Sequence, residues 1–256
     1  MSRKKKQKKN GLFGEVMSTV VLIVAVCVLV ISVYQLIMAL VPYYSGGKEY
    51  DKVKKLAITV DDKGEEDGFR VDFDALMKEN PDTVGWIRFD APSVISYPIV
   101  KSADNEEYLT KTFSASDNKL GAIFMDMRNN PEFVDRNTFI YGHNLQMGGE
   151  MFSQLNEYAS EEFYKEHPYF YIYTPKGDKF TYQVFSAGVV NDQTNNYKIA
   201  YPTEQDYVDY LELCKRSSNY QTDAAVGVRS KIVSLSTCTN VNEDDRFLLQ
   251  GVLIGD

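Results

Sequence analysis

The chain has 256 residues, enough for one domain with a full core or two small ones, and its 44% apolar content excludes disorder over most of the length. The formal net charge is −8, but the first nine residues carry six positive charges and no negative ones, which leaves −14 for the rest. An acidic body gives no support for nucleic-acid binding, and three cysteines in a chain of this length do not make a disulfide framework.

Arg3, Lys4, Lys5, Lys6, Lys8 and Lys9 open the chain, and residues 16–41 follow as an apolar run without a single charge. A helix rises about 1.5 Å per residue and crosses a hydrocarbon core in roughly 20 residues, so residues 16–42 are expected to span a membrane. Tyr34, Tyr43 and Tyr44 lie toward its far end, where interfacial aromatics often sit. Basic residues 1–15 are then expected as a cytoplasmic tail, with the C-terminal part outside the cell. The tail suits anionic lipid headgroups better than nucleic acid. A cleaved signal peptide is the rival reading. Its apolar region is shorter, about 7–15 residues, and Ala39-Leu40-Val41 is a poor cleavage site. Cys27, inside the run, reads as a small apolar residue.

Ser45-Gly46-Gly47 reads as the end of that helix, and residues 43–70 as an extracellular stalk. The stalk is expected to hold a short helix near residues 50–56 and a loop through Asp61-Asp62-Lys63-Gly64. Residues 71–256 are expected to form one compact domain. Asp72 is placed to cap a helix over residues 73–79 that stops before Pro81. Strands are expected at 84–89, 97–100, 122–125 and 138–141, and helical segments at 151–158 and 161–166. Strands 169–174 and 179–190 flank the turn Pro175-Lys176-Gly177-Asp178. Residues 204–216 are the clearest helix, with Tyr207, Tyr210, Leu211 and Cys214 at helical spacing. Strands 231–237 and 247–254 complete the pattern. About eight strands with few, short helices point to a mainly β fold, a closed barrel rather than a parallel α/β sheet.

Zinc-finger, calcium-loop and phosphate-loop spacings are all missing from this sequence, so neither a metal nor a cofactor is implied. A cysteine, a histidine and an arginine remain as candidates for chemistry. Cys238 ends Ser234-Leu235-Ser236-Thr237-Cys238 at the close of a strand. His143 lies just past a strand in Tyr141-Gly142-His143-Asn144, and Arg246 opens the last strand. Strand ends can bring such groups to one rim of a barrel. A thiol needs a proton acceptor or a nearby cation to be a useful nucleophile, and arginine offers a permanent donor to a developing oxyanion. Each residue also has an ordinary reading: core for Cys238, a strand-end side chain for His143, an ion pair with Asp244 or Asp245 for Arg246. Cys214 reads as buried packing and His167 as structural or surface.

In combination these segments resemble the sortases, a family of cysteine transpeptidases. Leu235-Ser236-Thr237-Cys238 followed by Arg246 is similar to the family's Thr-Leu-x-Thr-Cys…Arg signature, with Ser234 in place of its first threonine, and Tyr141-Gly142-His143-Asn144 is similar to its histidine segment. Asp104-Asn105-Glu106-Glu107-Tyr108-Leu109, Gly121-Ala122-Ile123-Phe124-Met125-Asp126 and the helix at 204–216 look like class B. The resemblance implies a barrel of about eight strands, with Cys238 as nucleophile, His143 as acid/base and Arg246 as cationic partner. It implies cleavage of an LPxTG-like or NPxTN-like C-terminal sorting signal of secreted proteins after threonine. The acyl-enzyme thioester would then pass to an amine of a cell-wall peptide precursor. Ser236 and Thr239, flanking the cysteine, are candidates to line the substrate groove, with plain strand-end hydrogen bonding as the alternative. Pilin polymerisation or hydrolysis at the same site remain open, as does a non-enzymatic tethered binding domain.

Overall fold

A computed structural model describes residues 2–60, 68–145, 149–239 and 241–255, with side chains from Glu15 onward. The chain divides into two units, Met1–Tyr44 and Ser45–Asp256. The first belongs to helix α1 (Ser2–Ala57), whose apolar stretch is long enough to cross a membrane and has none of its most apolar window buried in protein. Val21, Leu22, Leu29 and Val30 are each more than half exposed.

The structure differs from expectation at Ser45-Gly46-Gly47, because α1 runs on through both glycines to Ala57. The glycines serve close approach instead of a break. A Cβ on Gly46 would stand 2.4 Å from Cδ2 of Leu120. Beyond them Tyr50, Val53 and Ala57 are buried in the second unit. This part of the expected stalk is therefore packed structure. The loop expected at Asp61-Asp62-Lys63-Gly64 lies outside the described residues. Two three-residue strands on either side of it, β1 (Ile58–Val60) and β2 (Phe69–Val71), pair antiparallel.

Asp72 caps α2 (Phe73–Glu79) by accepting from the Ala75 amide at 2.9 Å. Eight strands follow: β3 (Thr83–Phe89), β4 (Ser96–Val100), β5 (Ile123–Met125), β6 (Asn137–Tyr141), β7 (Tyr169–Tyr173), β8 (Lys179–Asn191), β9 (Ile232–Cys238) and β10 (Asp245–Ile254). They close into a barrel in the order β10-β8-β7-β3-β4-β5-β6-β9. The ladders are antiparallel except β4–β5 and β6–β9. Closure leaves the barrel itself without an edge strand, and Trp86, Ile87, Phe139, Phe170, Leu235 and Leu249 on its strands are all 0% exposed. Ser234 is also fully buried. Its hydroxyl donates to Asn137 Oδ1 and accepts from Gln250 Nε2, both at 2.9 Å, so a strand hydroxyl has its partners there.

Residues 151–158, expected as helix, form a 3-10 helix over Ser153–Ala159, and α3 (Glu161–Glu166) follows on a Ser160 cap. Helix α4 (Glu204–Ser217) joins β8 to β9 and starts with a full Thr203/Asp206 capping box. Its inner face buries Tyr207, Tyr210, Leu211 and Cys214 against Phe185, Ile232 and Val252 of the barrel wall. Burial pushes the Cys214 thiol up to about 11, so this sulfur is a packed apolar group.

Candidate active site

Strand geometry explains why three residues far apart in sequence meet. β6 and β9 run parallel with Tyr141 opposite Ser236, so both strands end at the same rim. The Gly142 amide extends the pairing to the Ser236 carbonyl at 3.2 Å. Cys238 is the last residue of β9, and His143 stands two residues past the end of β6. β10 runs antiparallel to β9 and sets Arg246 directly opposite Cys238. Opposed residues in such a ladder have Cα atoms about 4.5–5.5 Å apart. Cys238, His143 and Arg246 all line one pocket of about 480 Å³. A cavity of similar size, about 490 Å³, lies between residues 69–74 and 173–179, but neither cysteine nor histidine lines it.

His143 is half-buried, and its Nε2 lies 2.7 Å from the Leu109 carbonyl oxygen. A carbonyl only accepts, so Nε2 carries a proton in this contact and Nδ1 is the atom left to exchange one. The His143 carbonyl accepts from the Phe152 amide at 3.0 Å, and the Asn144 side-chain amide donates to the Cys238 carbonyl at 2.8 Å. The two catalytic candidates are thereby tied through their neighbours as well as their strands.

Arg246 forms an ion pair with Asp192 at 2.7 Å and donates to the Asp245 carbonyl at 3.2 Å and to the Glu243 carbonyl. Its ion-pair partner is thus Asp192, one residue past the end of β8, while Asp245 supplies only a backbone carbonyl. Around the pocket, Tyr197 and Ser236 share a hydrogen bond of 2.7 Å, and burial pushes the Tyr197 hydroxyl up to about 12. Arg128, on the pocket wall, grips the fully buried Asp126 carboxylate through Nε and Nη2, both at 2.8 Å, and Tyr141 donates to the same carboxylate at 2.8 Å. Burial alone would raise the Asp126 carboxyl, but these donors outweigh it and hold it below the ordinary range.

Of the two groove candidates, the structure brings Ser236 to the pocket. Thr239 does not line it, because its hydroxyl serves the turn after β9, 3.4 Å from the Asp245 carbonyl and accepting from the Val241 amide at 3.3 Å. Asp192, Tyr197 and Arg128 are lining residues that sequence patterns did not single out. Only closure of the barrel, which joins the ends of β8 and β10, brings Asp192 to Arg246. The described residues include no cluster of three or more histidines, cysteines or carboxylates suited to a metal ion.

A closed eight-stranded barrel with this rim is a sortase-type architecture, and comparison with known proteins agrees. A family model described as the Sortase domain matches residues 89–254. Sortase B of Staphylococcus aureus is 31% identical over 220 residues, covering 86% of this chain and 88% of that protein. Sortase B of Listeria monocytogenes is 36% identical over 183 residues, covering 70% and 72%. The crystal structure of sortase B from Bacillus anthracis in complex with AAEK1 matches with a TM-score of 0.73 at 30% identity, covering 84% of this chain and 99% of that one. A Staphylococcus aureus sortase B-substrate complex matches with a TM-score of 0.66 at 33% identity, covering 71% and 84%. The chain belongs to the sortase family of transpeptidases, and to its class B.

Proposed function

We propose that this transpeptidase cleaves a C-terminal sorting signal of secreted proteins, LPxTG-like or NPxTN-like, after its threonine and joins the acyl part to a cell-wall amine. The observation that carries the reading is the convergence of Cys238, His143 and Arg246 on one pocket. The Cys238 thiolate attacks the threonine carbonyl carbon, and the carbonyl electron pair moves onto oxygen. Arg246, opposite Cys238 and restrained by Asp192, donates to that oxyanion or to the substrate backbone. As the C–N bond breaks, His143 imidazolium gives its Nδ1 proton to the leaving amine, and a thioester remains on Cys238. The amine of a cell-wall peptide precursor then attacks the thioester. His143 accepts its proton at Nδ1, and the thiolate departs. Ser236 lines the groove beside the cysteine.

The test supplies the full chain with either signal peptide, with and without an amine-terminated peptide. Ligated product is expected to exceed hydrolysed product. Hydrolysis alone would favour a peptidase, and preference for a protein lysine would favour a pilin polymerase. Arg246→Lys keeps the charge but loses the planar fork of donors, and is expected to lower kcat/KM by about 10–100-fold in the same assay. Unchanged rates would remove Arg246 from the reaction.

The long apolar helix supports a single membrane crossing over residues 16–42, with residues 1–15 cytoplasmic and residues 71–256 catalytic and extracellular. Anchoring confines the enzyme to the surface where its substrates arrive and raises their effective concentration. Protease added to intact protoplasts is expected to digest the region after Lys48 and spare the basic tail. A wholly secreted, soluble product would contradict this topology.

A further inference from the structure

We infer that Tyr50, on the part of α1 that packs onto the barrel, is a positioning residue for His143, acting through Gly121. The inference rests on the acid/base reading of His143. Tyr50 is 3% exposed. Its hydroxyl donates to the Gly121 carbonyl at 2.8 Å and accepts from the Phe113 amide at 3.3 Å. It thus clamps two backbone points of the irregular segment that carries Leu109, the hydrogen-bond partner of the imidazole.

Gly121 is where that clamp meets the histidine. Its φ of +64° is left-handed backbone, which suits glycine. A Cβ there would stand 2.7 Å from the Tyr108 carbonyl oxygen, 2.8 Å from His143 Cδ2 and 2.9 Å from the Leu109 carbonyl oxygen. The backbone of Gly121 therefore abuts the ring edge whose Nε2 bonds Leu109. Moving Gly121 moves both the acceptor and the wall against which the ring rests.

The same tyrosine also braces the other side of the site. Its ring meets Tyr97 edge-on, with centroids 5.4 Å apart, and the Tyr97 hydroxyl accepts from the Met151 amide at 3.2 Å. Met151 pairs with Asn144, next to His143 in the chain. One turn of helix thus fixes the carbonyl that orients the imidazole and the backbone that carries it. Glu49 adds two further bonds to the same segment, from the Thr112 hydroxyl at 2.8 Å and the Ser114 amide at 3.0 Å.

The test uses Tyr50→Phe in the full-length chain, which keeps the ring contact with Tyr97 and removes only the hydroxyl. kcat for a signal peptide is expected to fall about three- to tenfold with KM unchanged. The chain has only two histidines, so 15N-histidine spectra report His143 with His167 as an internal control. The parent is expected to show neutral His143 protonated at Nε2. The variant is expected to show a tautomer mixture, with the His167 signals unmoved. In a His143→Ala background the Tyr50 substitution is expected to have no further effect on the residual rate. Gly121→Ala is expected to lose more activity than Tyr50→Phe, but only the latter decides the matter if the former does not fold. A Tyr50→Phe protein with parental kcat and parental His143 signals overturns the inference, as does an equal loss in the His143→Ala background. If His143→Ala itself keeps full activity, the acid/base reading falls and this inference with it. If His143→Ala is inactive while Tyr50→Phe is normal, the positioning claim alone falls.

Discussion

Cys238→Ala is expected to lower signal-peptide cleavage by about 10³-fold or more while leaving the fold intact, and Cys214→Ala to retain most of the activity. The contrast follows from placement. Cys238 is partly exposed at a strand end, lines the pocket and faces Arg246 across the ladder. Cys214 has 0% exposure on the inner face of α4, and its thiol is pushed up to about 11 by burial, so little thiolate forms near neutral pH. Its removal leaves a small void costing about 1 kcal/mol, which a thermal melt would read as a modest fall in Tm. A folded Cys238→Ala protein that cleaves at the parental rate would remove the nucleophile from the account.

His143→Ala is expected to cost about 10²–10⁴-fold on a peptide substrate, because an amine leaves poorly unless it is protonated as the C–N bond breaks. A substrate with an activated ester in place of the scissile amide needs no such proton. Its attack on Cys238 is expected to suffer far less in the same variant. The Nε2 contact with Leu109 gives this prediction its atom, since it leaves Nδ1 to carry the proton toward the pocket. Equal losses on amide and activated ester would show that His143 does not act as the proton donor.

Much of this site was legible in the sequence because its residues sit at strand ends. Hydrophobic runs announce strands, and motif residues just past them fall on a rim once the strands close. The barrel of eight strands, the α4 face carrying Cys214 and the Asp72 cap all follow from periodicity and capping chemistry. What the pattern hid depends on register or on contacts across the fold. Asp192 reaches Arg246 because Asn191 pairs with Asp245 when β8 meets β10, a match that local sequence does not encode. Ser45-Gly46-Gly47 has the composition of a helix stop, yet the helix continues because glycine lets it lie against Leu120. Tyr50 looked like one residue of a polar stalk for the same reason. The hydroxyl of Thr239, beside the nucleophile in sequence, turns to the loop behind it instead of the groove.

Cys238 is expected to carry the substrate as a thioester. Intact-mass spectrometry of the full-length chain mixed with a signal peptide, quenched in acid within a turnover, reads this directly. An added mass equal to the peptide ending at its threonine less one water is expected, mapped to Cys238, labile to hydroxylamine and absent from Cys238→Ala. Cleavage of the peptide with no adduct on Cys238 at any time point, or an adduct on Cys214, would contradict it.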